Sequence, residues 1–248
     1  MRLTLADSKY LTDSISILSE LVNDVRLKCD KNQIEIIAMD PANVAMVVFR
    51  LLSSAFTEYK VDEDVEICVS LDALKQVLKR SKPSDLLTLE LDKEKNKLRV
   101  KIVGESSRTF NLALIDINDS EQKIPSLKFP LTVDTHSSVF DEAIADMGII
   151  SESVIFNTEA NKFVLRSESK LHNARVEVGS DAETVVESEN TDNVKSKYSL
   201  EYLKKMVKAS KLSSNVRIQF GPSYPLRLDY TVKDKFQLVF LLAPRSDQ

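Results

Sequence analysis

SLDALKQVLKRSKPS at Ser70–Ser84 and SLEYLKKMVKASKLS at Ser199–Ser213 share eight identities in fifteen positions, 129 residues apart. A repeat of that quality must be explained first. Sliding the whole chain by the same 129 residues sets Leu11 on Phe140, Ile15 on Ile144, Leu18 on Met147, Val25 on Val154, Leu27 on Phe156, Asn32 on Asn161 and Ile34 on Phe163. With small slips, Leu98-Arg99-Val100 meets Leu226-Arg227-Leu228, and Phe110-Asn111-Leu112 meets Phe236-Gln237-Leu238. The chain reads as a tandem duplication of one domain.

Each half opens on a short alternating strand, Leu3–Leu5 and Leu131–Val133, followed by an amphipathic helix. The apolar faces of these helices are Leu11, Ile15, Leu18 and Val22 in one half, and Phe140, Ile144 and Met147 in the other, at three- and four-residue steps. Alternating runs separated by polar breaks then read as hairpins: Val25–Cys29 with Ile34–Ala38, and Val154–Phe156 with Phe163–Leu165. Further strands are expected at Ala45–Leu51 and Ala174–Val178, then the repeated helix, another hairpin and a last strand. Ser70 and Ser199 are expected to cap the repeated helices, with Asp72 and Glu201 in the first turns, where carboxylates suit the helix dipole. The fold class is α+β, two helices on antiparallel sheet, built twice. The expected domains are residues 1–117 and 131–248. Between them residues 118–130 form a linker, polar through Asn118–Lys123 and then strap-like through Ile124–Pro130, where two prolines favour extended chain.

Composition narrows the function. With four glycines the chain has little room for a phosphate-cradling loop, and neither GxGxxG nor GxxxxGK[ST] occurs. Cys29 and Cys68 lie in apolar alternating runs without CxxC spacing, so they read as buried free thiols in a reducing compartment. No signal peptide opens the chain, and no apolar run approaches the ~18 residues of a membrane span, so a soluble intracellular protein is expected. The formal charge of -4 argues against a surface coated for nucleic acid but leaves open where the charges lie.

In the first repeated helix Leu71, Leu74, Val77 and Leu78 make an apolar stripe, with Lys75, Lys79 and Lys82 beside it. In the second, Leu200, Leu203, Met206 and Val207 make the stripe, and Lys204, Lys208 and Lys211 coincide with the first three under the shift. Like charges at this spacing cost a helix only about 0.2 to 0.5 kcal/mol per pair, against about 1.5 to 3 kcal/mol from burying each aliphatic residue. A solvated face inherited by both copies is the bland alternative, and against it most surface positions diverged while these lysines did not. A lysine row without interleaved aromatics suits contact with phosphates and offers no base readout. Arg80 and Lys205 add charge nearby. His136 and His172 stand alone, and the acidic groups Asp62–Asp64, Asp181–Glu183, Glu187 and Glu189 lack metal-ligand spacing, so no catalytic residue, metal or cofactor is expected.

Several separate motifs, in order along the chain, resemble the sliding clamps of archaeal and eukaryotic replication, the proliferating cell nuclear antigen family. They are Ile34–Asp40 with Val44–Val47, Ile124-Pro125, Tyr202-Leu203 with Lys208-Ala209, Pro225-Leu226 with Tyr230, and Leu242–Arg245. The resemblance implies a non-enzymatic DNA polymerase processivity factor. Two such domains form a subunit, three subunits close a ring, and two helices per domain line the hole around double-stranded DNA with antiparallel sheets outside. Lys75, Lys79, Arg80, Lys82, Lys204, Lys205, Lys208 and Lys211 would face DNA without sequence preference. A partner-peptide pocket maps onto Met39, Val44, Met46, Ile124, Pro125, Phe129, Pro225, Leu226, Tyr230, Leu242, Ala243 and Pro244, with Gln122 where the family often has leucine. Subunit contacts map onto Thr109, Phe110, Asn111 and Leu112, and onto Arg175, Val176, Glu177 and Val178.

The implied partners are replicative DNA polymerase, flap endonuclease, DNA ligase, a clamp loader and two further clamp subunits, identical or paralogous, with no cofactor and no membrane. The implied location is cytoplasmic and nucleoid-associated in an archaeal cell, or nuclear in a eukaryotic one. One departure stands out: the first helix of each half carries Lys9 as its only base, so either the hole is less basic than usual or a differently charged subunit completes a mixed ring. The alternative reading is a monomeric two-domain nucleic-acid-binding scaffold without ring formation. A metal-dependent hydrolase is a third class, which lacks the clustered carboxylates it would need.

Overall fold

The computed structural model describes residues 1–117, 122–159, 162–179, 184–188 and 194–245. By their contacts they form two compact units. The first comprises Met1–Pro41, Val47–Ile124 and Val232–Leu238, and the second Ala42–Met46, Pro125–Thr231 and Val239–Gln248.

The first half of the chain runs β1 (Arg2–Leu5), α1 (Lys9–Leu18), β2 (Asp24–Cys29), β3 (Gln33–Met39), β4 (Ala45–Leu52), a 3-10 turn (Ser53–Ala55), β5 (Glu58–Lys60), β6 (Val65–Ser70), α2 (Leu71–Leu78), β7 (Leu86–Asp92), β8 (Lys97–Val103) and β9 (Ser107–Ala113). One antiparallel sheet has the order β5-β1-β7-β8-β9, while β3, β2 and β6 lie side by side in another. Alternation places Leu3, Leu87, Leu89, Val100 and Ile102 in the core. Between β2 and β3, Asp30 Oδ1 accepts from the backbone N–H groups of Asn32 (2.6 Å) and Gln33 (2.9 Å), which is why the polar residues Asp30, Lys31, Asn32 and Gln33 turn the chain.

The second half runs β10 (Leu131–His136), α3 (Ser137–Ile150), β11 (Ser153–Glu159), β12 (Lys162–Glu168), β13 (Asn173–Val178), β14 (Val185–Ser188), β15 (Lys195–Ser199), α4 (Leu200–Met206), a 3-10 stretch (Val207–Lys211), β16 (Asn215–Phe220), β17 (Leu226–Val232) and β18 (Phe236–Leu242). Its sheets have the orders β13-β12-β11-β15 and β14-β10-β16-β17-β18. Helix α3 packs on β10 and β16 of one sheet and on β11, β12 and β13 of the other. At the centre Phe156 makes edge contacts with Phe140, Phe163, Tyr198 and Phe220 at centroid distances of 5.1 to 5.9 Å. The shift sets Leu11, Leu27, Ile34 and Val69 on Phe140, Phe156, Phe163 and Tyr198, so one skeleton is filled once with aliphatic and once with aromatic side chains. Sheets and helices together are α+β, as the sequence indicates, with the strands of each half divided between two sheets.

Two short segments leave the half of the chain that encodes them. In the first unit Leu52 N–H donates to Lys235 O (2.8 Å), and the Phe236 ring stacks on Tyr10 at 5.2 Å. In the second, Ala243 N–H donates to Val44 O (2.9 Å). Ser70 and Ser199 hold the N-cap positions with extended backbones, but neither hydroxyl makes a capping hydrogen bond. Of the expected thiols Cys29 is buried, while Cys68 is only half-buried, because it points to the other face of its strand.

Candidate nucleic-acid interface, sheet edges and partner surface

In the first unit Leu71, Leu74, Val77 and Leu78 bury one face of α2. Lys75 is half-buried beside that stripe, and Lys79 and Arg80 are exposed at the helix end. Lys82 does not continue the row, contrary to the helical spacing expected from sequence. The helix stops at Leu78, and Lys82, next to Pro83, lies in a loop whose geometry is set by Asp85. Asp85 is 3% exposed. Its Oδ2 accepts from the Lys82 backbone N–H (3.0 Å) and from Arg108 Nη2 (2.6 Å), while Arg108 Nη1 donates to Arg80 O (2.9 Å). The Lys82 ammonium sits 3.5 Å from Glu105 in an exposed pair, which holds it weakly.

In the second unit Leu200, Leu203 and Met206 bury one face of α4, which passes into the 3-10 stretch at Val207. With three residues per turn there, Lys208 and Lys211 stack on one exposed side. Lys205 is engaged locally: its ammonium lies 3.2 Å from Glu201 and 5.4 Å from the Tyr202 ring centre. Lys204 donates to the Gly148 carbonyl of α3 at 3.3 Å. The outward face of α3 is acidic and apolar, with Glu142, Asp146, Val139 and Ile149 exposed, the last by 80%.

Both strands expected at subunit contacts end a sheet. In the first unit β9 pairs, among the described residues, only with β8, Val100 opposite Phe110 and Leu98 opposite Leu112, with the alternating Thr109 and Asn111 exposed. In the second, β13 pairs with β12, Leu165 opposite Val176 and Phe163 opposite Val178. Arg175 bonds Glu159 (2.9 Å) and Glu177, and Lys162 bonds Glu177 (3.0 Å). Hydrogen bonds from Lys162 and then Arg175 hold the Glu177 carboxyl below its usual range. Each edge presents a row of backbone N–H and C=O groups open to a further strand.

Of the residues mapped to a partner pocket, Met46, Leu226, Tyr230 and Leu242 are buried in the core of the second unit, so they support a surface from beneath and do not form it. In that unit Val44, Phe129, Pro225, Ala243 and Pro244 are half-buried and Pro125 exposed, and Phe129 packs edge-on against Tyr224 at 5.6 Å. Met39 and Ile124 belong by their contacts to the first unit, where Met39 is half-buried and Ile124 is 39% exposed. Among the described residues no group of three His, Cys, Asp or Glu side chains could hold a metal ion, and no helix is long and apolar enough to cross a membrane. Asp62, Glu63 and Asp64 are exposed in a turn, whereas Asp181–Glu183 and Glu189 lie outside the described residues.

A duplicated α+β unit with a basic helix in each copy, and with β9 and β13 each ending a sheet, defines a two-domain DNA-clamp fold. Residues 2–122 match the model of the proliferating cell nuclear antigen N-terminal domain, and residues 123–245 that of its C-terminal domain. The chain is 34% identical over 249 residues to a DNA polymerase sliding clamp of Nanoarchaeum equitans, covering 100% of both. It is 34% identical over 241 residues to one of Pyrococcus horikoshii, covering 97% of this chain and 96% of that protein. The crystal structure of PCNA from Thermococcus kodakaraensis superposes with a TM-score of 0.90 at 27% identity, covering 98% of this chain and 99% of that one. The chain belongs to the proliferating cell nuclear antigen family.

Proposed function

We infer that the protein is a DNA polymerase sliding clamp, a non-enzymatic tether that encircles double-stranded DNA. The observation that carries this reading is the pair of repeated helices, which keep their lysines on the surface while their leucines are buried. Lys75, Lys79, Arg80, Lys208 and Lys211 offer charge without base-reading groups, which suits a sleeve that slides. An acidic chain with local basic helices concentrates that attraction where DNA passes.

Ring closure joins β9 of one copy to β13 of the next, identical or paralogous, with Phe110, Leu112 and Val176 supplying the apolar contacts, the buried Val178 supporting them from beneath, and both sheet edges becoming paired. Residues 118–130 serve as the connection between the two domains. The half-buried apolar residues of the second unit, from Val44 through Pro225 to Pro244, receive a short peptide with an aliphatic anchor and paired aromatics. The partners this reading assigns to that surface are replicative DNA polymerase, flap endonuclease, DNA ligase and the clamp loader. Tethering raises their effective concentration on chromosomal DNA, where the protein works.

Light scattering and primer extension test the reading together. The expected particle contains about three 28.0 kDa chains and stimulates polymerase on primed circular DNA. Replacing Lys75, Lys79 and Lys208 by Ala leaves the mass unchanged and flattens the salt dependence of DNA retention by about 0.9 for each phosphate no longer neutralised. A single 28.0 kDa species that stays single with any paralogue present would instead support the monomeric scaffold.

A further inference from the structure

Gly148 lies in the last turn of α3, and the Lys204 side chain crosses it closely. A Cβ at position 148 would fall 2.3 Å from Lys204 Cε and 2.4 Å from Nζ. The ammonium donates to the Gly148 carbonyl at 3.3 Å, one of the last four carbonyls of the helix, which have no intrahelical donor. A cation there also opposes the negative end of the helix dipole. Among the described residues the Ser151 N–H makes no capping bond back to the helix, and Ser151 leaves it fully extended (φ -154°, ψ 177°). A second tether runs alongside, from Ser210 Oγ to Asp141 Oδ2 at 3.1 Å.

The first copy of the domain is built differently at the same place. The 129-residue shift sets Ser19 on Gly148 and Lys75 on Lys204. There the helix end is closed by its own backbone: Ser19 N–H donates to Ile15 O (3.0 Å), Glu20 N–H to Ile17 O (3.1 Å), and Leu21 and Val22 N–H to Leu18 O (2.9 Å each). Ser19 Oγ turns back to Ser16 O at 2.8 Å. Among the described residues the Lys75 ammonium makes no hydrogen bond or ion pair.

We propose that Gly148 diverts Lys204 from the DNA-facing row, so that two lysines equivalent in sequence have different work. Lys75 meets phosphate, whereas Lys204 is a positioning residue that ties α4 to the end of α3 and leaves the DNA-facing work of the second row to Lys208 and Lys211. This rests on the clamp reading. A phosphate reaching Lys204 must first break its bond to the Gly148 carbonyl, whereas Lys75 holds no such bond among the described residues.

The test uses the assembled protein, a short duplex DNA and a series of salt concentrations, with thermal unfolding measured in parallel. Lys75→Ala should flatten the slope of log affinity against log salt by about 0.9 for each phosphate it no longer neutralises. Lys204→Ala should keep the wild-type slope and lower the unfolding temperature. Gly148→Ala puts a methyl in the path of a flexible side chain, so it should release the ammonium and steepen the slope by about 0.9 for each phosphate newly neutralised. A Lys204→Ala slope as flat as that of Lys75→Ala would overturn the proposal, as would a wild-type slope for Gly148→Ala. If Lys75→Ala also left the slope unchanged, the DNA-facing reading of both helices would fall with it.

Discussion

Arg108 on β9 grips Asp85 behind α2: Nη2 donates to the buried carboxylate at 2.6 Å, and Nη1 to the carbonyl of Arg80 at 2.9 Å. One side chain thereby fixes the loop that carries the basic end of the helix to the strand proposed to close the ring. Gly104 permits this, since a Cβ there would lie 2.0 Å from Asp85 Oδ1.

Arg108→Ala leaves the Asp85 carboxylate, in a site that is 3% exposed, without its countercharge and with the Lys82 N–H as its remaining donor. The expected cost is about 3 kcal/mol, at the low end for a broken buried pair because Arg108 itself keeps 27% of its surface. Urea unfolding measures it, and a change below about 1 kcal/mol would show that water replaces the guanidinium.

Leu112→Lys with Val176→Lys places charges on both proposed subunit edges. Each side chain is half-buried in the single chain, so folding should survive while assembly fails. Size-exclusion chromatography with light scattering should show a 28.0 kDa species. Persistence of the larger particle would move the interface to other strands.

Val44→Asp sets an unpaired carboxylate on the apolar surface beside Ala243, whose backbone holds the Val44 carbonyl. Binding of a polymerase or flap-nuclease tail peptide should weaken by on the order of 2 kcal/mol, at least about tenfold. Calorimetric titration decides it, and equal affinity would place the peptide elsewhere.

Burial, with a smaller push from the Asp30 carboxylate, drives the Cys29 thiol up to about 12. At pH 8 it stays protonated and unreactive. A Cys68→Ser variant should therefore release no chromophore from a disulfide reagent until it is denatured, and then one equivalent. Rapid native labelling would mean that β2 opens.

The duplication, the two helices of each half, the buried stripes and most of the strands were legible in the chain, because period and charge spacing are local properties that two copies state twice, whereas β5, β6, β14 and β15 were not among the expected elements. Ile34, Ile36 and Ala38 alternate inward, and Leu71, Leu74 and Leu78 recur at helical steps, as their spacing demands. Tertiary structure decided what depends on distant neighbours. Lys82 leaves the helix because Asp85 and Arg108 shape its loop, and Lys204 lies across Gly148, 56 residues away. Met46, Leu226, Tyr230 and Leu242 are core in a unit that gathers Ala42–Met46 with the last strands of the chain. Val232–Leu238 joins the first unit and Ala42–Met46 the second, an exchange no 129-residue shift reveals. Sequence spacing fixes which face a side chain takes on its own element. Which remote carbonyl, carboxylate or ring then meets that face is set only when the elements pack.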